Sequence, residues 1–146
     1  VFNDEWMQEN QLLEAARVTV ADLLARRVGE QPPLVSVAPA AQVRQALNLM
    51  GTWDVSQIPV LEDGESVGTV TEATLMTQAL AQPALLDRPV REVMEQPLPV
   101  VDGGFPADRL APMLTRESPA ALVLKDGKLV GIVSRYDVFR EIIGTR

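Results

Sequence analysis

Residues 131–137 read Gly-Ile-Val-Ser-Arg-Tyr-Asp, a short apolar strand that passes into a helix through a hydroxyl and a carboxylate. A related stretch, Gly-Thr-Val-Thr-Glu-Ala-Thr at residues 68–74, stands 63 positions earlier. The glycine, the last apolar residue of the strand and the hydroxyl recur, but Thr74 occupies the place of Asp137. The chain therefore contains a repeated strand-to-helix unit whose copies differ at the carboxylate.

The repeat continues on both sides of this stretch at the same spacing. Identical residues stand 63 positions after residues 37, 47, 50, 60, 61, 63, 64, 67, 68 and 70. Two copies of about sixty residues are too few and too long for a solenoid. We therefore expect an α/β (α+β) fold of two β-α-β-β-α repeats packed face to face about a pseudo-twofold axis.

The predicted organisation is an N-terminal linker helix in residues 1–19, a first domain in residues 20–82 and a second in residues 83–146. The linker helix, at residues 3–14, would either pack on its own domain or connect to a preceding one. Residues 82–89, which include two prolines, are interpreted as the linker between the domains.

In the first copy, Thr19 and Asp22 predict a capped helix, and residues 29–33 would break it. A strand at residues 34–37, a helix from Pro39 to Gly51, strands at residues 56–61 and 66–71, and a helix at residues 72–81 follow. The apolar stripe of the middle helix, predicted to face the core, consists of Val43, Ala46, Leu47 and Met50.

The second copy repeats this plan. We expect a helix at residues 90–94, a strand at residues 98–101, helices at residues 106–115 and 135–143, and an end at Gly144. Asp63-Gly64 and Asp126-Gly127 each predict a tight hairpin between two strands.

Composition excludes several classes of function. The 146 residues include no histidine and no cysteine, which removes disulfides, thiol nucleophiles, histidine acid/base chemistry and zinc sites built on those ligands, so we expect no enzyme. A net charge of −7 argues against nucleic acid and anionic membranes as partners. Without a signal peptide or an apolar run of roughly 18 residues, the interpretation is a cytoplasmic protein, and the start at Val1 suggests a fragment.

These features resemble a tandem cystathionine beta-synthase domain pair, also called a Bateman module. The resemblance covers residues 20–143 and rests on the Gln-Ile-Pro-Val-Leu strand at residues 57–61, the Asp-Gly turns and the strand tails that end in Thr71 and Ser134. It implies a regulatory module that binds AMP, ATP or S-adenosylmethionine in clefts between the halves and associates as a homodimer.

Residues 2–13 resemble the segment that joins the catalytic core of cystathionine beta-synthase to its C-terminal pair. The resemblance implies a parent pyridoxal-phosphate enzyme whose catalytic domain precedes this chain. The chain's only lysines, Lys125 and Lys128, flank a hairpin turn, where neither fits a desolvated Schiff-base lysine.

Ser134 and Asp137 are the leading candidates for ligand binding, with Val133 and Tyr136 beside them. The hydroxyl and the free N–H groups at the helix start can hold an anion or a ribose oxygen, and the carboxylate can accept from two ribose hydroxyls. The alternative is a capping box, in which Asp137 reaches back to the N–H of Ser134. Tyr136 would either stack or point outward.

In the resembled family, each cleft combines the acidic motif of one half with the early strands of the other. The cleft of Asp137 would then be closed by Pro33, Leu34, Val35, Val55, Ser56, Gln57 and Ile58. Val55 and Ile58 would enclose an adenine or else be ordinary core.

The second cleft is expected to be weaker. Its residues would be Thr71, Thr74, Pro99, Ala120 and Ala121. Thr74 supplies no charge, and Pro119 removes a backbone donor near the expected base edge. We therefore expect one ligand per chain.

Apolar stripes at residues 40–50 and 106–115 exceed what one small fold can bury, which predicts that a homodimer forms through them. Ligand binding would change the angle between the halves, with residues 82–89 absorbing the motion. The alternative function is a ligand-free dimerisation module.

Overall fold

The computed structural model describes residues 18–26 and 34–143. They form two compact units, here called the first unit (residues 34–98) and the second unit (residues 18–26 and 99–143). Both units combine helices with a small β-sheet, which confirms the mixed α/β fold class. The predicted helix at residues 3–14, the break at residues 29–33 with Pro33, and the stop at Gly144 lie outside the described residues.

In chain order the α-helices are α1 (Val20–Ala25), α2 (Val43–Trp53), α3 (Glu72–Ala81), α4 (Ala107–Leu110) and α5 (Arg135–Ile143). The strands are β1 (Gln57–Glu62), β2 (Glu65–Thr71), β3 (Val100–Asp102), β4 (Ala120–Lys125) and β5 (Lys128–Ser134). Short 3-10 helices span Pro83–Asp87, Val90–Glu92 and Ala111–Met113. The sheet of the first unit is the antiparallel pair β1-β2; that of the second unit has the order β3-β4-β5, with β3 parallel and β5 antiparallel to β4.

The two β-hairpins share one register. Gln57 lies opposite Thr71 in the first unit, and Ala120 lies opposite Ser134 in the second, which are the same positions 63 residues apart. Each hairpin also has a register shift at the equivalent point. The sequence repeat is therefore a repeat of structure.

The turns of both hairpins have the backbone that Asp-Gly predicts. The φ angles are 53° at Asp63, 81° at Gly64, 51° at Asp126 and 77° at Gly127. Positive φ at both central residues defines a type I′ turn, whose twist matches that of the flanking strands. The hairpin prediction is confirmed.

Helix α2 packs the predicted stripe into the core of the first unit. Val43, Ala46 and Met50 are buried, and Leu47 is half-buried against the same cluster. That cluster consists of Val37, Val43, Ala46, Met50, Ile58, Val60, Val70, Leu75 and Val90.

The predicted ends of α2 are wrong at both sides. The helix begins at Val43, because the backbone of Gln42 pairs with Pro89 and is extended rather than helical. It continues past Gly51 to Trp53 and ends at Asp54, whose φ of 53° places it in the left-handed region that aspartate tolerates.

The predicted strand at residues 34–37 is reduced to one pairing. Residues 34–36 have no regular structure, and Val37 forms an isolated parallel bridge with Val60. Its N–H donates to Pro59 O at 3.2 Å, while its carbonyl accepts from Leu61 N–H at 2.9 Å. This contact attaches the start of the first unit to β1.

Residues 82–89 belong to the first unit and are not a free linker. Pro83–Asp87 is a 3-10 helix, and the carbonyl of Arg88 accepts from the N–H of Val43 at 3.0 Å. The N–H of Val90 donates to the carbonyl of Ala41 at 2.7 Å. These hydrogen bonds remove the physical basis for a hinge in this segment.

The predicted helix at residues 90–94 is only the 3-10 turn Val90–Glu92. Glu95 follows and exchanges two backbone hydrogen bonds with Thr69 of β2, at 3.0 and 2.8 Å. The chain must extend to reach that position, so a longer helix has no room.

The second unit confirms the capped helix α1. The carboxylate of Asp22 accepts from the N–H of Thr19 at 2.9 Å, and the Thr19 hydroxyl accepts from the N–H of Asp22 at 3.2 Å. Helix α1 contributes two side chains to a core that also includes parts of β3, β4, β5, α4 and α5. The buried residues of this core are Val20, Leu23, Val101, Ala107, Leu110, Leu114, Ala121, Val123, Val133 and Val138.

The predicted helix at residues 106–115 stops early. Helix α4 ends at Leu110 and is followed by the 3-10 turn Ala111–Met113. Pro112 has no N–H to donate to the carbonyl of Asp108, and its ring crowds the same turn. Pro112 lies within the expected helix and was the sequence signal for an earlier end.

The stripes predicted to form a dimer are buried inside their own units. Ala46 and Met50 of α2 lie in the core of the first unit, and Ala107 and Leu110 of α4 lie in that of the second. Large exposed apolar side chains stand mainly on α3 and α5. They are Met76 and Leu80 on α3, and Tyr136, Phe139, Ile142 and Ile143 on α5.

The compact units divide the chain differently from the sequence repeats. Helix α1 leads the first copy in sequence but packs in the second unit, and Val90–Glu92 leads the second copy but packs in the first. The chain passes from the first unit to the second between Leu98 and Pro99. The longest helix of residues 18–26 and 34–143 has 11 residues, and none there is long and apolar enough to cross a membrane.

Candidate ligand-binding site

The junction of β5 and α5 buries the carboxylate of Asp137, whose residue surface is 7% exposed. Its Oδ2 accepts from the N–H of Ser134 at 2.8 Å and from the Ser134 hydroxyl at 3.1 Å. Strand β5 ends at Ser134, so the helix start and the hydroxyl meet at one point. The contact that the capping-box interpretation requires is therefore present.

Arg140 is a functional candidate that sequence reasoning missed. Its Nη2 donates to Asp137 Oδ1 at 2.7 Å, and its guanidinium lies 5.1 Å from the centre of the Tyr136 ring. Tyr136 is 66% exposed, so its ring faces outward with a cation against it. The sequence signal for this ion pair is the spacing of three residues between a carboxylate and a cation on one helix.

The carboxylate of Asp137 is charge-balanced and crowded with donors. At least three donors point at its two oxygens. Arg140 Nε, which is bonded to the same carbon as the paired Nη2, is buried and has no hydrogen-bond partner among the described residues. The site can accept hydroxyl hydrogens and can also present a guanidinium, which are the groups that a sugar phosphate needs.

The first copy keeps the cap and lacks the charges. The hydroxyl of Thr71 accepts from the N–H of Thr74 at 3.4 Å, which caps α3. Ala73, Thr74 and Thr77 stand where the second copy has Tyr136, Asp137 and Arg140. The two strand-to-helix junctions are thus alike in backbone and different in chemistry.

The strand residues expected beside Asp137 lie in the first unit. Ile58 is 1% exposed within the core cluster, and Val35 and Val55 pack against that cluster. Leu34 and Gln57 are half-buried, with Gln57 opposite Thr71. In the structure as it stands, Ile58 is a core residue.

The residues expected in the weaker cleft have their strand part in the second unit. Ala120 and Ala121 are fully buried opposite Ser134 and Val133, and the carbonyl of Pro99 accepts from Leu122 N–H at 2.8 Å. Each unit therefore holds the helix-start motif of one expected cleft and the strand residues of the other. No three metal-ligating side chains converge within residues 18–26 and 34–143.

Comparison with known proteins identifies a family and several similar structures. The family model described as CBS domain matches residues 20–80 and 90–144. A CBS-domain-containing protein from Agrobacterium tumefaciens has a TM-score of 0.72 at 25% identity, over 86% of this chain and 99% of that one.

Two further structures contain adenosine compounds. The CBS domain pair of protein MJ0100, in complex with 5′-methylthioadenosine and S-adenosyl-L-methionine, has a TM-score of 0.70 at 22% identity, over 88% of this chain and 98% of that one. The CBS domain of a bacterial CNNM/CorC family Mg²⁺ transporter, in complex with ATP, has a TM-score of 0.73 at 22% identity, over 99% and 100%.

Proposed function

Because the chain belongs to the CBS domain family, we propose that it is a regulatory module that binds an adenosyl ligand at the β5-α5 junction. The observation that carries the proposal is the buried carboxylate of Asp137 beside the Ser134 hydroxyl at a strand-to-helix junction. A carboxylate accepts from the vicinal hydroxyls of ribose, and a helix start provides N–H groups for oxygen atoms. The module controls the protein to which it is joined, and it performs no chemistry of its own.

The ligand-binding residues of the proposal are those of the sequence hypothesis. Ser134 and Asp137 hold the ribose, and Tyr136 flanks it. The side chain of Val133 is fully buried in the core of the second unit, so this residue can flank the ribose only through its backbone. The strand residues that receive the base are Leu34, Val35, Val55, Gln57 and Ile58. Ile58 lies in the core of the first unit, so admitting a base between Val55 and Ile58 requires side-chain movement there. The proposed second cleft binds ligand more weakly and consists of Thr71, Thr74, Pro99, Ala120 and Ala121. The proposal also divides the chain into CBS repeats at residues 20–82 and 83–146.

Ligand-dependent stability tests this function. A ligand that binds only the folded state raises the free energy of unfolding by about 2.7 kcal/mol at a hundredfold excess over its dissociation constant. We expect AMP, ATP or S-adenosylmethionine to raise the unfolding temperature of the protein, and guanosine monophosphate at the same concentration to leave it unchanged. No shift with any adenosyl compound would leave the ligand-free dimerisation module as the better function.

The proposal extends to a homodimer, formed through helices other than those predicted. Met76 and Phe139 occupy equivalent positions in the repeat, as do Leu80 and Ile143, and all four are exposed. Exposed apolar side chains at repeated positions on α3 and α5 are typical of a surface that a second copy covers.

The identity of the controlled protein rests on sequence resemblance alone. Residues 2–13 support a pyridoxal-phosphate enzyme of the cystathionine beta-synthase type, in the same polypeptide and the cytoplasm. Measuring the activity of that enzyme with and without adenosyl ligand tests this proposal. The ligand should change the activity only when the module is intact.

A further inference from the structure

Arg140 is paired with the carboxylate of Asp137, which is the group proposed to accept the ribose hydroxyls. Its Nη2 lies 2.7 Å from Asp137 Oδ1, while Oδ2 already accepts two hydrogen bonds from Ser134. A carboxylate offers about four acceptor positions. At least three are occupied, so two ribose hydroxyls can both be accepted only if a present donor gives way.

Of the donors to Asp137, the Ser134 hydroxyl can turn about one bond and the Arg140 guanidinium can leave, and only the departure of Arg140 frees an acceptor position on Oδ1. The N–H of Ser134 is part of the backbone at the end of β5 and cannot turn away. The guanidinium stands at the end of a long side chain that is 30% exposed and reaches solvent. The exposed Tyr136 ring provides a cation–π contact that the guanidinium can keep when it leaves Asp137.

The positive charge of the released guanidinium determines which ligand binds more tightly. When ribose takes the place of Arg140 on Asp137, the guanidinium loses its ion partner. A 5′-phosphate on the same ribose replaces that partner, and guanidinium binds phosphate with paired, charge-assisted hydrogen bonds. The sulfonium of S-adenosylmethionine is a cation at the same carbon and would leave two positive charges together.

The first copy provides an internal comparison. Thr77 stands at the position of Arg140, and Thr74 at that of Asp137, so the first copy lacks both the arginine and the carboxylate. Within the second unit, the buried Nε without a partner also shows that the present ion pair satisfies the guanidinium incompletely.

From this geometry we infer that Arg140 is the residue that makes the site select phosphate-bearing adenosyl nucleotides over S-adenosylmethionine. It exchanges its ion pair with Asp137 for one with the ligand phosphate. The inference rests on the proposed function, since it assigns the ligand class of that same site.

Three ligands of different charge test it: neutral adenosine, anionic AMP and cationic S-adenosylmethionine. For the wild type, calorimetry should give tighter binding of AMP than of adenosine, and weaker binding of S-adenosylmethionine than of AMP. In Arg140→Met the ratio of AMP to adenosine affinity should fall about tenfold, which is the effect of one charge-assisted contact. Arg140→Lys, which keeps the charge, should retain most of that ratio.

Arg44→Met is the matched control, because it removes one exposed arginine of the first unit and changes the net charge equally. Its affinity ratio should equal that of the wild type. If Arg140→Met loses adenosine and AMP to the same extent, or neither, the inference is wrong although the proposed function stands. If the wild type binds S-adenosylmethionine more tightly than AMP, the inference is also wrong, whereas binding of none of the three would refute the proposed function itself.

Discussion

The carboxylate of Asp137 stabilises a helix start and is also the group proposed to bind the ligand. Its carboxylate caps α5 through Ser134 and pairs with Arg140, and the same oxygens are the ones proposed to hold ribose. The capping interpretation and the ligand interpretation are therefore not exclusive. The sequence predicted the pairing of Ser134 with Asp137, because their spacing alone places them together at a helix start. Arg140 was not predicted, because it lies one helical turn beyond Asp137 and outside the Ser134–Asp137 motif.

The two copies of the motif allow a matched pair of substitutions. We expect Asp137→Asn to weaken the binding of AMP at least tenfold, since a hydrogen bond to a charged group is lost. Thr74→Ala should change the affinity less than twofold. Equilibrium dialysis measures both, and circular dichroism confirms that the variants fold. Equal losses in the two variants would contradict the assignment of the site to the second copy.

At the scale of helices and strands, several features that depend only on neighbouring residues were predicted correctly from the sequence. The Asp-Gly turns, the Thr19 cap and the bounds of α3 and α5 follow from residues within one turn of each other. The early end of α4 has a local cause in Pro112, whereas the other shortened helices involve pairings that are distant in sequence. Gln42 is held extended by Pro89, and Glu95 by Thr69, so the expected helices there are shortened by contacts that no local pattern contains.

Glycine substitutions test the corrected end of α2. Gly51 lies inside the helix with open space around it, so Gly51→Ala should raise the free energy of unfolding by roughly 0.5 to 1 kcal/mol. Gly64 has a φ of 81° in the β1-β2 turn, so the same change there should lower that free energy by about 1 kcal/mol or more. Urea denaturation measures both. A destabilised Gly51→Ala would mean that the helix ends where the sequence predicted.

The cap of α1 predicts a pH dependence of stability. Hydrogen bonds from the backbone and side chain of Thr19 hold the pKa of Asp22 below its ordinary value. A lowered pKa stabilises the fold fully above the ordinary value of about 4, and this contribution is lost as the pH falls through the folded-state value. Wild type should therefore exceed Asp22→Asn in stability at pH 7, and the difference should shrink below pH 4. A constant difference between pH 7 and pH 3 in urea denaturation would count against this account.

On the scale of the whole molecule, the sequence predicted the repeat and not its division into compact units. A spacing of 63 residues identifies equivalent positions, but it contains no information on which unit a leading helix joins. The buried stripes of α2 and α4 were assigned to a dimer because apolar periodicity looks the same whether a helix faces its own core or a second copy. The strand residues expected to receive the base lie in the first unit and Asp137 lies in the second, a division that sequence spacing does not predict.

Mutation of the exposed apolar face of α5 tests the proposed homodimer. Light scattering at micromolar concentration should give twice the chain mass of 15.9 kDa for the wild type. Phe139→Glu should shift the protein toward a monomer, because a charge would be buried at the contact. Arg44→Glu, on an exposed position of α2, is the control and should remain dimeric. A wild-type monomer would remove both the dimer and the alternative function.

The stoichiometry of AMP binding tests the central claim most directly. The account expects isothermal titration calorimetry to show one AMP per chain, because only the second copy has the carboxylate and the arginine. The same titration of Thr74→Asp/Thr77→Arg shows whether those two residues suffice to strengthen the other cleft. Two equal sites in the wild type, or no binding of AMP at millimolar concentration, would contradict the claim that Asp137 makes this module a single-site adenosyl sensor.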